Sequence, residues 1–77
     1  MLWKETLVIH HGNEISLWSL YDMRNPRKII GKYFLGVKFA QIVAQNDADD
    51  ALLIVTATEM GVYSLEGLEL INMLVQK

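Results

Sequence analysis

The chain has 77 residues, 52% of them hydrophobic and 21% charged, with a net charge of −2 and no cysteine. This composition predicts one small folded domain and excludes disulfides and thiolate metal sites. The charge is too close to balance to steer nucleic acid. No apolar run approaches the roughly 18–20 residues of a membrane helix, and the first residues lack a signal-peptide core. We therefore expect a cytoplasmic or otherwise intracellular protein with no membrane span.

Apolar and β-branched runs predict three strands in the first half of the chain, at residues 5–11, 15–20 and 28–35. Gly12-Asn13, a common hairpin pair, joins the first two strands. The segment before the third strand contains Asp, Asn and the lone proline, and is predicted to be a loop. Gly31 marks a candidate β-bulge within the third strand.

Four more strands are predicted in the second half, at residues 37–44, 51–58, 61–65 and 68–75. Residues 46–50, Asn-Asp-Ala-Asp-Asp, are predicted to form a polar hairpin loop. A helix is the alternative for residues 39–45 and 68–75, whose Ala, Gln, Leu and Met favour one. The total is an all-β antiparallel meander of about seven strands, with less than about a tenth helix.

The stretch 7–20 repeats 45 positions later as residues 52–65, without a gap. Five of the fourteen aligned positions are identical, and every apolar residue of the first copy is matched by an apolar one in the second. This spacing lies within the roughly 40–45 residues of a four-stranded propeller blade. We therefore expect the aligned Trp18 and Tyr63 to occupy equivalent places in two successive sheets. Trp18→Ala should cost about 3–5 kcal/mol if the ring is fully buried.

Residues 12–20, Gly-Asn-Glu-Ile-Ser-Leu-Trp-Ser-Leu, resemble the third strand of a WD-repeat blade, which typically runs Gly-x-x-Ile-x-Leu-Trp-Asp-Leu. Residues 37–44 resemble the first strand of such a blade. The resemblance covers nearly the whole chain. It implies roughly two β-propeller-type blades, a partial one over residues 5–35 and a complete one over residues 37–75.

The sequence departs from that family where the family builds its polar network. The opening Gly-His pair is absent, and Leu35-Gly36 stands in its place. Ser19 and Ser64 replace the Asp that follows the Trp, and Tyr63 replaces the second Trp. The family's buried His–Ser–Asp–Trp network cannot be built from these residues. Such blades would therefore be held mainly by apolar burial.

Residues 1–77 form a single β segment that we expect to be incomplete as a folding unit. A blade buries its faces against its neighbours, and roughly three or more repeats are needed for stability. Apolar and polar residues alternate only weakly in residues 7–9, 51–55 and 70–75, which is typical of sheets covered on both sides. We expect part of a larger or oligomeric propeller, covered by further blades, copies of itself or another subunit. Its expected function is a non-catalytic scaffold or protein–protein interaction module.

Candidate partner-binding residues lie in the predicted loops and at strand ends. They are His11, Asn13, Arg24, Arg27, Asp47 and Asp49. His10 and His11 are adjacent, so on a strand they point to opposite faces and cannot chelate one metal. Residues 46–50 lack the glycine and the distal glutamate of a calcium loop. Because no nucleophile motif or phosphate-binding glycine loop occurs either, we expect no enzyme, no metal and no cofactor.

Two other functions stay open. One is a small sugar-binding propeller lectin formed by oligomerisation, although the two repeats share few polar residues for duplicated sugar sites. The other is a small nucleic-acid-binding β-barrel that uses aromatic and basic residues. Residues 1–45 carry a net charge of +3 and residues 46–77 a net charge of −5. No basic surface stripe of the kind expected for nucleic acid is evident in the sequence.

Overall fold

The computed structural model describes residues 1–45 and 48–76. These residues form eight strands and no helix, arranged as two four-stranded antiparallel sheets. The first sheet contains β1 (Leu2–Trp3), β2 (Thr6–His11), β3 (Glu14–Ser19) and β4 (Arg27–Tyr33). The second sheet contains β5 (Val37–Gln45), β6 (Ala48–Thr56), β7 (Glu59–Ser64) and β8 (Leu70–Gln76). The strands follow chain order in both sheets, so the predicted all-β antiparallel meander is confirmed.

Strand β1 is the element that the sequence pattern does not reveal. Leu2 pairs with Leu7 and Trp3 pairs with Thr6, and Lys4 turns the chain back with a φ of 52°. A strand of two residues has no alternation, so hydrophobic periodicity cannot detect it. It makes the first sheet four-stranded like the second.

The predicted polar loop at residues 46–50 is partly wrong. Strand β6 already begins at Ala48, which pairs with Gln45, so Asp49 and Asp50 belong to a strand. Asp is depleted in strands, so the two aspartates indicate a loop when only the sequence is considered and the pairing of β6 with β5 is not known. The rest of the predicted loop, residues 46–47, lies outside the described residues.

The helix alternative for residues 39–45 and 68–75 is wrong. The first segment lies in β5 and pairs with β6, and most of the second lies in β8 and pairs with β7. Helix propensity is a weak preference that tertiary context overrides. The β-branched residues Val43, Ile71 and Val75 fit a strand better than a helix.

Gly31 is a regular strand residue and not the predicted bulge. It pairs with Ser16, and the register shift in β4 lies at Ile29. A Cβ on Gly31 would come within 2.9 Å of the Lys28 Nζ atom. Glycine therefore leaves room for the Lys28 side chain, whose ammonium lies 3.5 Å from the Glu14 carboxylate.

The 45-residue repeat is present in the hydrogen-bond register. Leu7 pairs with Trp18 in the first sheet, and Leu52 pairs with Tyr63 in the second. Adding 45 to both residue numbers of the first pair gives the second pair. The predicted equivalence of Trp18 and Tyr63 in two successive sheets is confirmed.

The two sheets pack face to face around one core. Its buried members are Val8, Ile15, Leu17, Leu52, Ile54, Tyr63, Leu65 and Leu68. The Phe34 ring meets the edge of the Tyr63 ring with centroids 5.2 Å apart, a favourable aromatic geometry. The Lys32 ammonium crosses from β4 to the other sheet and donates to the Leu68 carbonyl at 2.7 Å. Burial of aliphatic and aromatic side chains, with few polar links, therefore holds the sheets together.

Candidate interaction surfaces

Each sheet has two faces, named front and back here, because successive side chains on a strand point to opposite sides. In the first sheet the front face carries Val8, Ile15 and Leu17, and the back face carries Leu7, Ile9 and Trp18. In the second sheet the front face carries Leu53, Met60 and Val62, and the back face carries Leu52, Ile54 and Tyr63. Front residues of the two sheets are related by the 45-residue offset, and so are back residues.

The core forms between unlike faces of the two sheets. Ile15 and Leu17, on the front of the first sheet, are fully buried. Leu52, Ile54 and Tyr63, on the back of the second sheet, belong to the same core. The front of the first sheet therefore packs on the back of the second. The other two faces point outward.

The front face of the second sheet has an apolar centre although it points outward, and the exposed Gln41 and Asn72 flank that centre. At its centre, Leu53 pairs with Val62, and Val55 pairs with Met60. Phe39, which pairs with Val55 on the other side, is 47% exposed. An antiparallel sheet with one wet face normally places polar residues on that face. A contiguous apolar patch of this kind marks an interaction surface.

The back face of the first sheet also points outward; it is apolar over β1, β2 and Trp18, and the Lys28–Glu14 ion pair lies on its β4 side. Leu2 is 63% exposed and Ile9 37% exposed, and Leu7 and Trp18 are half-buried. The Trp18 indole Nε1–H donates to the Ser16 hydroxyl at 3.0 Å, so the ring lies along its own sheet and covers Ser16. The ring is not fully buried within a single chain. The cost of about 3–5 kcal/mol for Trp18→Ala was predicted for a fully buried ring, so it does not apply to the single chain.

The residues predicted to bind partners lie at opposite ends of the sheets. Arg24, Arg27 and Asp49 lie at the end where β4 and β6 begin. His11 and Asn13 lie at the other end, at the β2–β3 turn, and Asp47 lies outside the described residues. The fold thus does not gather the described candidates into one site.

Asn13 ties the β2–β3 turn to the connection between the sheets. Its side-chain oxygen accepts a hydrogen bond from the Val37 N–H at 3.1 Å, and its carbonyl accepts one from the Phe34 N–H at 2.7 Å. Its side-chain N–H donates to the Tyr33 hydroxyl at 3.2 Å. Gly12, which precedes it, has a φ of 59°, a conformation that glycine adopts without strain. These bonds give Asn13 a structural role in joining the sheets.

Replacing Asn13 by alanine should lower the free energy of unfolding by about 1–3 kcal/mol, because the partly buried Val37 N–H loses its acceptor. The matched control is Asn25→Ala, because the Asn25 side chain bonds to Asp22 at an exposed site. That control should change stability by about 0.5 kcal/mol or less. Urea denaturation of both variants measures the difference. Equal losses would show that Asn13 is a surface residue without this role.

The two arginines lie beside an exposed loop. The Arg24 N–H donates to the Asp22 carboxylate at 3.0 Å, which closes a local turn in the loop. Arg27, the first residue of β4, lines a shallow cleft of about 340 Å³. The other lining residues are Ser19, Tyr21, Asp22 and Asn25. These side chains are polar and exposed, so they suit a wet contact with a partner.

Asp49 lines a second cleft of about 320 Å³, at the same end of the sheets. Its other lining residues are Trp3, Gln45, Asp50, Ser64, Leu65, Glu66 and Ile71. The Lys4 ammonium lies 4.7 Å from the Trp3 ring centroid, a cation–π distance. The three carboxylates give the cleft an acidic rim. The sequence pattern gave no sign of this cleft, because Trp3 reaches it through the undetected strand β1.

Tyr63 is the titratable group most affected by the packing of the sheets. Burial raises the pKa of its phenol above the usual value of 10.0, and the Glu59 carboxylate raises it further. Glu59, Gly61 and Tyr63 share one face of β7. A Cβ on Gly61 would lie 2.9 Å from the Tyr63 ring, so the ring lies over this glycine.

Above about pH 9, part of the loss of stability should come from Tyr63. Its folded-state pKa is raised, so its contribution is complete below the unfolded pKa and disappears as the pH rises through the folded pKa. Tyr63→Phe should therefore reduce the alkaline fall in the free energy of unfolding, measured by urea denaturation at several pH values. Tyr21→Phe, at a position 84% exposed, is the control and should keep the fall. An unchanged alkaline fall in Tyr63→Phe would contradict the assignment.

Within residues 1–45 and 48–76, no three His, Cys, Asp or Glu side chains group closely enough to hold a metal ion. In the same ranges, no helix is long and apolar enough to cross a membrane. No known protein family matches the chain, and no curated protein or solved structure shows significant similarity to it. The candidate surfaces are therefore identified from the geometry of this chain alone.

Proposed function

We propose that the chain is a non-catalytic protein–protein interaction module made of two successive β-propeller-type blades. The observation that carries the proposal is that both outward faces, the front of the second sheet and the back of the first, carry an apolar patch of several side chains. Fully exposing one Leu, Ile or Val side chain forfeits about 1.5–3 kcal/mol of burial, and a domain is stable by only about 5–15 kcal/mol. Faces with several such residues are stabilised by contact with other polypeptide.

The strand order supports the blade interpretation. A propeller blade is a four-stranded antiparallel sheet, and successive blades stack face to face around an axis. Both sheets follow chain order. Trp3 of β1 shares a cleft with residues from all four strands of the second sheet, and Lys32 of β4 bonds to Leu68 next to β8. A contact between β4 and the segment before β8 is expected where the last strands of neighbouring blades lie side by side.

The polar ends of the sheets are the proposed sites for contacts with further partners. His11, Arg24, Arg27 and Asp49 lie in turns or at strand ends, where propeller-type scaffolds expose variable side chains, whereas the Asn13 side chain is engaged in joining the sheets. The outward faces lack the basic groove that single-stranded nucleic acid requires. Polypeptide is therefore the ligand class that these surfaces fit best.

A fluorescent dye that binds exposed apolar surface tests the proposal on the 77-residue chain. We expect dye emission per chain to be high wherever the chain is monomeric and low wherever it is assembled, with circular dichroism confirming the strand content. A double variant, Ile9→Ser with Leu53→Ser, should lose most of the emission. The control Leu35→Ser should keep it, because Leu35 is 79% exposed but belongs to neither face. A folded monomer that binds no dye would overturn the proposal.

A further inference from the structure

We propose that a second copy of this chain covers the outward faces, with the front of its second sheet packed on the back of the first sheet of the next copy. This inference deepens the proposed function and rests on it. The proposed function requires only that some polypeptide covers the apolar faces; this inference identifies that polypeptide as a second copy of the chain. The argument starts from the interface between the two sheets of one chain.

That interface joins two different surfaces. The front of the first sheet, with Val8 and Leu17, lies against the back of the second sheet, with Leu52 and Tyr63. Packing of unlike surfaces leaves one face of each kind free. The free faces are the back of the first sheet and the front of the second. The chain therefore exposes both partners of an interface that it has already formed once.

The two back faces match in side-chain type and in local geometry. Leu7 and Ile9 of the first sheet correspond to Leu52 and Ile54 of the second, and Trp18 corresponds to Tyr63. Each aromatic ring also lies over the residue two positions before it, since Trp18 bonds to the Ser16 hydroxyl and Tyr63 covers Gly61. Over β2 and β3, the exposed back face thus presents the same kind of surface that is buried in the core; on its β4 side Lys28 pairs with Trp18, where Leu70 pairs with Tyr63.

The two front faces also match. Val8 corresponds to Leu53, and the fully buried Ile15 and Leu17 correspond to Met60 and Val62. Each replacement exchanges one apolar side chain for another, and the methylene gained at Leu53 offsets the one lost at Val62, so the total volume is kept, a change that cores tolerate. The front of the second sheet is therefore suited to pack on a back face, as the front of the first sheet does.

Copies joined in this way are related head to tail. A head-to-tail interface produces a ring when the rotation between copies closes, and an open filament when it does not. Propellers contain about 4–8 blades, so a closed ring would need about two to four copies of a two-blade chain. Because the contact is apolar, its strength should hardly depend on salt.

Two single variants that each block one face provide the test. Leu53→Asp blocks the front of the second sheet, and Ile9→Asp blocks the back of the first. We expect the wild-type chain to form one closed species of about two to four copies, by light scattering and native mass spectrometry. Each variant alone should be monomeric at 8.8 kDa. An equimolar mixture should form a heterodimer with one copy of each, because each variant keeps the face that the other lacks.

Matched variants separate assembly from folding. Leu35→Asp places the same charge at a site 79% exposed that lies on neither face, and it should assemble like the wild type. If Leu53→Asp or Ile9→Asp does not fold, Phe39→Asp and Leu2→Asp are used in their place. These two residues lie on the same two faces and are 47% and 63% exposed. Formation of the heterodimer itself shows that both chains have folded.

Each other outcome overturns the inference. A mixture that stays monomeric would show that the two faces are not complementary, and a single variant that still assembles would show a different interface. A wild-type monomer that binds the apolar-surface dye would overturn the second copy as occupant but leave the proposed function standing. A folded wild-type monomer that binds no dye would overturn both.

Discussion

Replacing Leu17 by alanine should lower the free energy of unfolding by about 2–5 kcal/mol. Leu17 is fully buried on the front of the first sheet, at the centre of the interface with the second. The truncation removes apolar burial and leaves a cavity that the strands on either side, Val8 on one and Ile30 on the other, cannot fill by small shifts. Urea denaturation followed by circular dichroism, at one fixed chain concentration, gives the difference.

The control for Leu17→Ala is Leu35→Ala, the same substitution at a position 79% exposed. It should change the free energy of unfolding by about 0.5 kcal/mol or less. Similar values for the two variants would mean that the two sheets do not pack on each other through the front of the first.

Tyr63→Ala and Trp18→Ala should differ although the two aromatic residues are equivalent in the repeat. Tyr63 is buried between the sheets and meets Phe34 edge to face, so its removal should cost about 3–5 kcal/mol. Trp18 is half-buried on an outward face, so its removal should cost less than half as much in the monomeric chain. The measurement is urea denaturation of both variants at a concentration where the chain is monomeric.

In the assembled chain, the stability costs of Tyr63→Ala and Trp18→Ala should be more similar. There Trp18 is covered, and Trp18→Ala should weaken self-association, which light scattering over a dilution series records. Equal costs in the monomer would contradict the distinction between a buried and an outward back face. Unchanged self-association would show that Trp18 lies outside the contact between copies.

The sequence predicted the strands well where β-branched runs are bounded by clear turn residues. Gly12-Asn13 marked the first hairpin correctly, and the repeat predicted that Trp18 and Tyr63 share a register. Strand β1 escaped because its two residues carry no period. Asp49 and Asp50 were misplaced because β6 continues through them, at an irregularity between its pairs Val43–Ala51 and Gln45–Ala48, despite their local preference for loops.

The surfaces were less predictable than the strands. Weak alternation in residues 51–55 indicated sheets covered on both sides, but which face turns inward depends on how the sheets stack. Asn13 was a candidate for binding a partner, yet its amide oxygen serves Val37, which lies 24 positions along the chain. A hydrogen bond between segments so far apart in sequence is set by the fold and leaves no local pattern. The acidic cleft at Trp3 was hidden for the same reason.

The most direct test of the coverage of the outward faces is the accessibility of Trp18 to a soluble quencher of fluorescence. Trp3→Phe leaves Trp18 as the sole tryptophan. We expect acrylamide to quench Trp18 weakly at high chain concentration, where a second copy covers the back of the first sheet, and strongly after dilution to the monomer. Strong quenching of the folded chain at every concentration would show that no copy covers this face, and would contradict the assembly proposed above.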